Sequence, residues 1–587
     1  MLASSDIQKL YAQSERVQSA AGKVKVVFER SNIFNKIKVV NLLAFAITVA
    51  IIGRIVYLNT FNTNFLSKQL DSRVVRTVKI TAMRGSILDR NNNPLAVSTP
   101  MASIWVDPTQ LEGLTSEQII DAAKILNMSV NELNSKLNQK NKTFVYIKRA
   151  VTPSQALAIK NLGIDGVYSL QEYKRYYPYS DITSHVVGFN NVDDAGAEGI
   201  EYANNKDLVG HDGKRQIMRD RRGNVIDQSG QIVHSENGKD VTLSIDSRIQ
   251  FIAYNALKAQ VDKYNAQGGS ALVLDAKTGE VLAMVNMPNY NPNNRTGVSI
   301  DAIRNRAAID VYEPGSIIKP LIVAKALDAG IVKPSTMFDT HQYYVGNKLI
   351  KDDHPYPSMN VTEIIQHSSD IGASKIALKL NKEDMWQYYR SIGFGQKVGT
   401  GFPGEATGIF RDWKKWYPID QAEMAFGYGI SVSLMQMARA YSLFTNKGCM
   451  LPLDFYKLND SPECKQVISP KTAEEIRSIL ASTTTDGTGK LAQTDDYTTA
   501  GKTGTAQKYN KGYASKQYYG SFVGFAPASN PKLIIAVTLD NPRKGTYYGG
   551  TVSAPAFAAI AQQTLHILGV KSDKDKNADK NTQTPKL

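Results

Sequence analysis

The sequence predicts an α+β fold in which helices pack on a sheet, preceded by a mixed α/β domain and one N-terminal transmembrane helix. Three observations support this. With 587 residues the chain is too long for a single hydrophobic core, so two or three domains are expected. One apolar run near the N-terminus is long enough to cross a bilayer. Strand-like segments occur at both ends of the C-terminal half with helical segments between them, which favours a sheet covered by helices.

The membrane helix is predicted over 39–58, where VVNLLAFAITVAII is followed by GRIVYL. About twenty residues span the hydrocarbon layer as a helix, and Arg54 near the end can reach the interface. Residues 1–38 carry more Lys and Arg than Asp and Glu, so this tail is expected in the cytoplasm and the bulk of the chain outside. Because no Ala-x-Ala pattern follows the run, we expect an uncleaved anchor; a buried core helix is the alternative. Export argues against nucleic acid as a partner, although the net charge is +15.

Two domains and a tail are expected beyond the membrane helix. The mixed domain, with short strands and helices, is predicted over 59–239, and the α+β domain over 240–570. The second domain begins with the strand DVTLSID, a helix starting near Ser247, and a hairpin, GSALVLDAKTGEVLAMVN, with a Lys-Thr-Gly turn. Residues 571–587 are rich in charge and poor in apolar residues, which is typical of a disordered tail.

The chain contains two cysteines, Cys449 and Cys464. They flank MLPLDFYKLNDSPE, which is expected to form two short strands around an Asn-Asp-Ser-Pro turn. In an oxidising compartment a cross-strand disulfide is a reasonable expectation. Two unrelated thiols are the alternative, because a Cα separation cannot be read from sequence.

The stretch VYEPGSIIKPLIVAKAL places Ser316 and Lys319 at the start of an apolar helix. A Pro-Gly pair precedes the serine, so Ser316 is expected at a helix N-terminus, where unpaired N–H groups and the helix dipole favour a developing oxyanion. Lys319 lies three residues later on the same helical face. A lysine with a lowered pKa could take the hydroxyl proton and make Ser316 a nucleophile. A surface lysine is the alternative, because Ser-x-x-Lys alone is a weak signal.

Two further stretches strengthen that signal. IIQHSSDIG places Ser368 and Asp370 at the end of a short helix, and TTAGKTGTAQK places Lys502 on a predicted strand. On that strand Lys502 and Gly504 face one side, and Thr503 and Thr505 face the other. Gly504 has no side chain that would block a ligand lying along the strand. Ser-x-x-Lys, Ser-x-Asx and Lys-Thr-Gly, in this order on one domain, are together a strong indication of acyl-serine chemistry.

With these motifs the chain resembles the penicillin-binding transpeptidases, and most closely the class B, division-specific FtsI type. RGSILDRNNNPLAVS, RYYPYSDITSHVVGF and AGAEGIE resemble motifs of the pedestal domain in that class. NRAAIDVYEPGSIIKP and FGYGISVSLMQMARAYS are similar to the division enzymes. The resemblance implies an elongated α/β pedestal, dimerisation-like, and a serine β-lactamase-like transpeptidase domain with an antiparallel sheet flanked by helices. Since no glycosyltransferase domain precedes the pedestal, a bifunctional class A enzyme is not expected. The elongation paralogue shares the motifs and stays an alternative.

The resemblance also implies roles for the matching residues. Ser316 would attack the penultimate D-alanine carbonyl of a stem peptide and release the terminal D-alanine, with Lys319 as general base. Ser368 would relay protons to the leaving group, and the N–H groups of Ser316 and Thr505 would form the oxyanion hole. Lys502 would keep the site positive, and the side chains of Thr503 and Thr505 would bind the donor carboxylate. A neighbouring stem-peptide amine would then accept the acyl group.

The family resemblance further implies the setting of the reaction. β-Lactams, which mimic the D-Ala-D-Ala end, would acylate Ser316, and neither a metal nor an organic cofactor is implied. The single membrane span would lie in the inner (cytoplasmic) membrane with the catalytic domain in the periplasm. The expected partners are an FtsW-type glycan polymerase and other division proteins. Asn41 and Thr48, seven residues apart on one helical face, could hydrogen-bond to a partner helix.

Asp370 departs from the family, which usually has asparagine at this position. A carboxylate only accepts hydrogen bonds, whereas an amide also donates them. Beside Lys319 and Lys502 the carboxylate is expected to stay ionised and to raise the pKa of the lysines. We therefore expect an active enzyme with a shifted pH dependence.

Other functions share parts of the pattern. A class A β-lactamase would need a Glu-x-x-Leu-Asn loop, which is not found between Asp370 and Lys502. A D-Ala carboxypeptidase fits the chemistry but not the long pedestal, and a silent membrane-anchored scaffold or penicillin sensor is the non-enzyme alternative. GKTG is not a phosphate-binding loop, because Asp496 stands where its first glycine is required. His367 lacks the spacing of a catalytic triad, and Tyr428 is expected either in the cleft or in the core.

Overall fold

The computed structural model describes residues 35–60, 75–219, 225–227, 232–509 and 516–574, and also the single residues 9 and 12. The chain forms two compact units. The first comprises Met1–Lys79 and Lys214–Val233, and the second comprises Ile80–Gly213 and His234–Leu587. The predicted pedestal, 59–239, is thus shared between the units, and the sequence-derived domain boundaries stay a prediction.

The first unit contains a helix that is long and apolar enough to cross a membrane. It runs over Asn35–Thr60 with a mean hydropathy of 2.3 in its most apolar window, and no residue of that window is buried. It includes the whole of the predicted span 39–58 and extends it at both ends. The Thr48 hydroxyl donates a hydrogen bond to the Ala44 carbonyl of its own helix (2.8 Å). A four-stranded sheet completes the described part of this unit; its strands are Val75–Ile80, Gly213–Arg219, Val225–Asp227 and Ile232–Val233.

The pedestal part of the second unit is built on a five-stranded sheet. Its longest strand, Pro94–Val106, pairs with Val145–Val151 and Val167–Tyr176, and both pairings are antiparallel. The sheet also includes Ile87–Leu88 and Val241–Thr242. Three helices share its buried core: Ser116–Ile125, Val130–Leu137 and Pro153–Asn161. The smaller elements are helices Ser184–Val187, Gly199–Ala203 and Asn205–Leu208, strands Phe189–Asn190 and Gly196–Glu198, and the 3₁₀ turn Ser180–Ile182.

The pedestal motifs meet at a buried ion cluster. Arg84 Nε donates to Glu201 Oε2 (2.7 Å), and Arg175 Nε donates to Glu201 Oε1 (2.6 Å). All three side chains are at most 1% exposed. Each comes from a different one of the three quoted motifs, so the cluster joins all three motifs.

Neighbouring residues of the first motif join the pedestal to the predicted catalytic domain, 240–570. Asp89 accepts hydrogen bonds from Ser247 N (3.2 Å) and Ser247 Oγ (2.8 Å), at the start of the helix Ser247–Lys263. Arg90 contacts Glu280 of the catalytic domain at 3.4 Å. These contacts hold the two domains together.

The catalytic domain contains the predicted sheet packed by helices. The sheet is antiparallel and five-stranded, in the order Val281–Met287, Gly268–Asp275, Leu533–Asp540, Tyr518–Ala526 and Ala500–Gln507. The three central strands are almost entirely buried because helices cover both faces. Helices Ser247–Lys263 and Ala554–Ile567 pack on one face. The predicted hairpin and the helix at Ser247 are confirmed, and Ala500–Gln507, which carries Lys-Thr-Gly, is an edge strand.

Further helices, short strands and 3₁₀ turns complete the described part of this domain. The helices are Ile300–Ile303, Arg306–Ile309, Lys319–Asp328, Val361–Gln366, Asp370–Leu378, Lys382–Ser391, Pro418–Met424, Leu434–Ala440, Ser442–Thr445, Pro470–Thr485 and Gly549–Val552. The short strands are Met337–Asp339, Tyr343–Val345, Lys348–Ile350, Ser358–Asn360, Cys449–Met450 and Lys465–Gln466, and the 3₁₀ turns are Gly315–Ile318, Trp413–Lys415 and Lys490–Ala492.

Cys449 and Cys464 form a disulfide, with a Cα–Cα distance of 5.6 Å. The first cysteine lies on the short strand Cys449–Met450, which pairs antiparallel with Lys465–Gln466. The expected cross-strand disulfide is therefore confirmed, and the alternative of two unrelated thiols is wrong.

The predicted C-terminal tail begins on the surface of the catalytic domain. Asp573 accepts a hydrogen bond from Thr498 N (2.7 Å). Residues 575–587, where most of the predicted disorder falls, lie outside the described residues.

Candidate active site

Ser316 lies in the 3₁₀ turn Gly315–Ile318, which leads directly into the helix Lys319–Asp328. It therefore occupies the helix N-terminus that the sequence predicts, where N–H groups have no acceptor within the helix. Gly427 presses against this turn: a Cβ there would lie 2.2 Å from the Gly315 carbonyl oxygen, and Gly427 has φ +91°. The buried Tyr441 hydroxyl donates to the Ile317 carbonyl (2.8 Å). This turn, which carries the predicted nucleophile Ser316 and is called the nucleophile turn below, is thus fixed from two sides.

Gly504 packs closely against this turn. A Cβ at Gly504 would lie 2.8 Å from Ile317 Cγ2 and 3.0 Å from the Pro314 carbonyl oxygen. The expectation that Gly504 also leaves room for a ligand along the strand stays a prediction. The missing side chain of Gly504 lets the nucleophile turn pack against the edge strand.

The open edge of the same strand presents backbone groups to the site. Gln507 N donates to the Tyr428 hydroxyl (3.3 Å), which lies on that open side. Backbone groups of alternate residues point the same way in an antiparallel strand, so Thr505 N also faces the open side. A Cβ on Gly315 would be 2.9 Å from the Thr505 carbonyl oxygen, so the nucleophile turn lies along that edge. This arrangement is compatible with an oxyanion hole formed by Ser316 N and Thr505 N, which stays a prediction.

Ser368 occupies the sharp corner between two helices, Val361–Gln366 and Asp370–Leu378. Its φ of +63° lies in the left-handed region, which is uncommon for a residue with a side chain. Asp352 stabilises the corner from a neighbouring loop: it accepts hydrogen bonds from Ser369 Oγ (2.5 Å), Asp370 N (2.6 Å) and Ile371 N (2.9 Å). The carboxylate also lies at a helix N-terminus, where negative charge is favoured.

Two fully buried lysines meet at the Ser368 hydroxyl. Lys319 Nζ lies 3.3 Å from Ser368 Oγ, contacts the Ser368 carbonyl oxygen, and lies 2.6 Å from Asp370 Oδ1. Lys502 Nζ lies 2.9 Å from Ser368 Oγ, 3.2 Å from the Thr503 carbonyl oxygen and 3.3 Å from Thr503 Oγ1. Among the described residues, no hydrogen bond joins Lys319 Nζ to the Ser316 hydroxyl. The three motifs nevertheless converge, as the sequence predicts.

The charges of this cluster perturb one another. Burial and the neighbouring Lys319 ammonium hold the pKa of Lys502 well below its usual range, although Asp370 opposes this. Asp370 therefore acts in the expected direction on Lys502 but is outweighed. Burial raises the pKa of Asp370 itself, and the Lys319 ammonium opposes that increase.

The predicted site residues lie at one cleft. Ser316, Ser368, Asp370, Thr503 and Thr505 all line it, whereas Lys319 and Lys502 lie beneath its floor with no exposed surface. Thr505 Oγ1 accepts a hydrogen bond from Gly549 N (3.2 Å).

Sequence reasoning missed several residues of the cleft. Thr488 lines it and lies 2.8 Å from Thr503, hydroxyl to hydroxyl. Three tyrosine rings form part of its wall: Tyr518 stacks on Tyr547, with ring centroids 3.9 Å apart, and Tyr548 packs at a tilt against Tyr547. No local pattern marks these residues, because distant loops bring them together. Tyr428, for which the sequence left two positions open, lies in the cleft wall.

His367 also lies at the cleft, with its ring stacked on Tyr356 at 4.8 Å. This aromatic contact provides no support for a serine–histidine pair.

Comparison with known proteins identifies the class. Residues 269–562 match the family model of the penicillin-binding protein transpeptidase domain, and residues 79–243 match that of the penicillin-binding protein dimerisation domain. The chain therefore belongs to the penicillin-binding proteins.

Individual relatives narrow the family further. The chain is 41% identical over 539 residues to the probable peptidoglycan D,D-transpeptidase PenA of Neisseria gonorrhoeae, covering 91% of this chain and 93% of that protein. It is 36% identical over 538 residues to the peptidoglycan D,D-transpeptidase FtsI of Escherichia coli, covering 90% and 91% of the two chains. A crystal structure named as a peptidoglycan glycosyltransferase from Burkholderia ambifaria is 43% identical, with a TM-score of 0.51 over 56% of this chain and 99% of that one. Within its family, the chain is a class B peptidoglycan D,D-transpeptidase.

Proposed function

We propose that this transpeptidase acts through an acyl intermediate on Ser316 and cross-links peptidoglycan at the division septum. The observation that carries the catalytic part is the convergence of Ser316, Ser368, Thr503 and Thr505 on one cleft, above two buried lysines. Such a site offers a nucleophile at a helix N-terminus, a hydroxyl in contact with two amines, and hydroxyl donors on an edge strand.

The proposed reaction uses these residues as follows. Ser316 Oγ attacks the penultimate D-alanine carbonyl while its proton passes to the lysine–serine network of Lys319, Ser368 and Lys502. The N–H groups of Ser316 and Thr505 stabilise the oxyanion, and the hydroxyls of Thr503 and Thr505 bind the donor carboxylate. Collapse breaks the C–N bond and releases D-alanine, whose amine takes up the proton. A stem-peptide amine then attacks the ester, forms the cross-link and frees Ser316; β-lactams stop at the ester.

The cellular setting rests on other features. The helix Asn35–Thr60, with a basic segment before it, supports a single-pass anchor in the cytoplasmic membrane with the catalytic domain in the periplasm. The disulfide Cys449–Cys464 supports the same side, because disulfides persist in oxidising compartments. The division role is supported by motifs similar to FtsI, and an FtsW-type glycan polymerase is the partner we propose. An elongation-specific role is the alternative.

The enzymatic proposal is tested with the full-length protein in detergent and a stem-peptide substrate ending in D-Ala-D-Ala. We expect equal release of D-alanine and formation of the cross-linked dimer, and loss of both in Ser316→Ala. The matched control is Ser299→Ala, which removes an exposed hydroxyl at another helix N-terminus. D-alanine release without dimer would indicate a carboxypeptidase, and no turnover and no penicillin label would indicate a scaffold.

The septal role is tested by depletion in the native cell. Loss of a septum-specific enzyme leaves elongation intact, so cells should become filaments with unfinished septa. Rounded cells with normal septa would instead indicate the elongation role.

A further inference from the structure

One side of the cleft, next to the threonines of the Lys-Thr-Gly strand, has no role in the reaction described so far. Two segments form this side, which we call the Lys490 shelf: Thr488, Lys490, Leu491, Gly550 and Thr551. A Cβ on Gly550 would lie 2.6 Å from the Thr488 carbonyl oxygen and 3.2 Å from Thr503 Cγ2. The two segments therefore pack against each other and against the strand that carries Thr503.

Backbone hydrogen bonds hold the shelf in place. Thr488 N donates to the carbonyl oxygen of Gln366 (3.2 Å), the last residue of the helix Val361–Gln366. Gly489 N donates to the Thr483 carbonyl oxygen (2.9 Å). A surface that is already ordered loses little conformational entropy when it binds a ligand.

Two exposed side chains stand out on the shelf. Leu491 is 54% exposed although it lines the cleft. Lys490 is exposed, and within the described residues its Nζ atom forms no ion pair and no hydrogen bond. Lys348, in contrast, lines the same cleft and pairs with Glu423. An unpaired ammonium beside an apolar side chain is complementary to a ligand that carries a carboxylate next to an aliphatic group.

The chemistry of the second half-reaction puts the acceptor on this side of the cleft. In the proposed reaction Thr503 and Thr505 bind the donor carboxylate, so the D-alanine that leaves lies next to the shelf. The acceptor nitrogen attacks the same carbonyl carbon and uses the same oxyanion hole. Because aminolysis of the ester is the chemical reverse of its formation, the incoming nitrogen takes the position that the leaving nitrogen vacated. The rest of the acceptor then extends over the Lys490 shelf.

We propose that the Lys490 shelf binds the acceptor stem peptide and that the Lys490 ammonium pairs with a carboxylate of that acceptor. This rests on the proposed acyl-serine function and identifies the surface that the second substrate uses. The acceptor amine forms the new C–N bond, the ester bond to Ser316 Oγ breaks, and one amine proton ends on Ser316 Oγ. Water is the competing attacker and needs no contact with the shelf. The shelf therefore determines how the acyl-enzyme divides between cross-linking and hydrolysis.

The test uses the full-length protein and a donor peptide that ends in D-Ala-D-Ala and has its amines acetylated. The acceptor is a stem peptide with one free amine, made in two forms, with its carboxylates free or amidated. The ratio of cross-linked to hydrolysed product depends only on what attacks the acyl-enzyme. The variant is Lys490→Gln, and the matched control is Lys351→Gln, which removes the charge of another exposed lysine at the same cleft.

With the free-carboxylate acceptor, Lys490→Gln should lower this ratio about fivefold, which corresponds to the loss of one exposed ion pair. Lys351→Gln should leave the ratio unchanged. Amidation of the acceptor should lower the ratio for the wild-type protein to the same extent, and it should have no effect on Lys490→Gln. The rate of penicillin acylation should be unchanged in both variants, because penicillin occupies the donor side of the site.

Each other outcome contradicts the proposal. An unchanged ratio in Lys490→Gln, or an equal loss in Lys351→Gln, would show that Lys490 does not bind the acceptor. If Lys490→Gln still distinguishes the two acceptor forms, the acceptor carboxylate is bound elsewhere. Slower penicillin acylation with an unchanged ratio would assign Lys490 to the donor site, and hydrolysed product alone from the wild-type protein would mean that the shelf holds no acceptor. Failure of the acyl-serine function itself would look different, because the wild-type protein would then carry no penicillin on Ser316.

Discussion

The contact between Gly427 and the nucleophile turn predicts a strong effect of a single methyl group. In Gly427→Ala the new Cβ would lie 2.2 Å from the Gly315 carbonyl oxygen and 2.4 Å from Gly315 N. Both are backbone atoms next to Ser316, so neither can rotate away. The turn must move by about 1 Å to reach van der Waals distance.

Two costs combine in this variant. A side chain at φ +91° costs about 1–2 kcal/mol, and overpacking of a filled site costs about 1–3 kcal/mol. Gly399 separates them, because it has the same φ of +91° and nothing within 4 Å of its Cβ position. Gly399→Ala should therefore show only the backbone cost.

The assay is the rate of penicillin acylation, with thermal unfolding measured in parallel. Because misplacement of a reacting group by about 1 Å can cost about 100-fold in rate, Gly427→Ala should acylate about 100-fold more slowly. Gly399→Ala should acylate within about twofold of wild type, with a slightly lower melting temperature. If the two variants acylate equally well, the turn is not held in the way described here.

Three further predictions concern stability. Glu201→Gln leaves Arg84 and Arg175 buried without their carboxylate, so it should lower the free energy of unfolding by about 3–5 kcal/mol. The control Asp262→Asn, in an exposed ion pair, should lower it by about 1 kcal/mol or less. Thermal unfolding measures both variants, and equal shifts would contradict the role of the buried cluster. The disulfide joins two cysteines with a sequence separation of 15, so its reduction should lower the free energy of unfolding by about 3 kcal/mol, measured by denaturant titration. An unchanged denaturant midpoint after reduction would show that the disulfide does not stabilise the fold. Burial lowers the pKa of His185 to about 4, whereas the pKa of a histidine in the unfolded chain is about 6.5. Between these two pH values the unfolded state therefore binds one more proton than the folded state. The contribution of His185 to the free energy of unfolding should be fully present above about pH 6.5 and should fall by about 1.4 kcal/mol per pH unit toward pH 4. His185→Gln should remove that part of the slope, and an identical slope in both proteins would refute the assignment.

The sequence predicts the chemistry of the site better than its packing. Ser316, Ser368 and Lys502 could be identified because each belongs to a short motif whose residue types are fixed by the reaction. Their neighbours Asp352 and Thr488 could not be identified from the sequence. They contact Asp370 and Thr503 from separate loops, and these loops carry no local sequence pattern.

The packing of Gly504 shows what a strand pattern cannot reveal. The alternation of a strand correctly separates Gly504 from Thr503 and Thr505, but it does not reveal what lies on each side. The Cβ position of Gly504 faces the nucleophile turn, which the sequence pattern does not indicate. For the same reason, helical spacing placed Lys319 near Ser316 but could not show that its hydrogen bonds go to Ser368 and Asp370.

The fold was predictable where hydrophobic patterns are long. The hairpin Gly268–Met287 and the helix Ser247–Lys263 have clear periodicity, and both lie where predicted. The division of 59–239 between two compact units was not predictable from the sequence, because it depends on strand pairing between residues more than a hundred positions apart.

The central claim, that three distant motifs form one reactive serine site, is tested most directly by locating the penicillin adduct. The full-length protein is treated with benzylpenicillin, digested, and analysed by mass spectrometry. We expect a single adduct, on the peptide that contains Ser316, which is absent in Ser316→Ala and strongly reduced in Lys502→Ala. An adduct on any other residue, or a Ser316 adduct formed equally fast without the Lys502 amine, would contradict it.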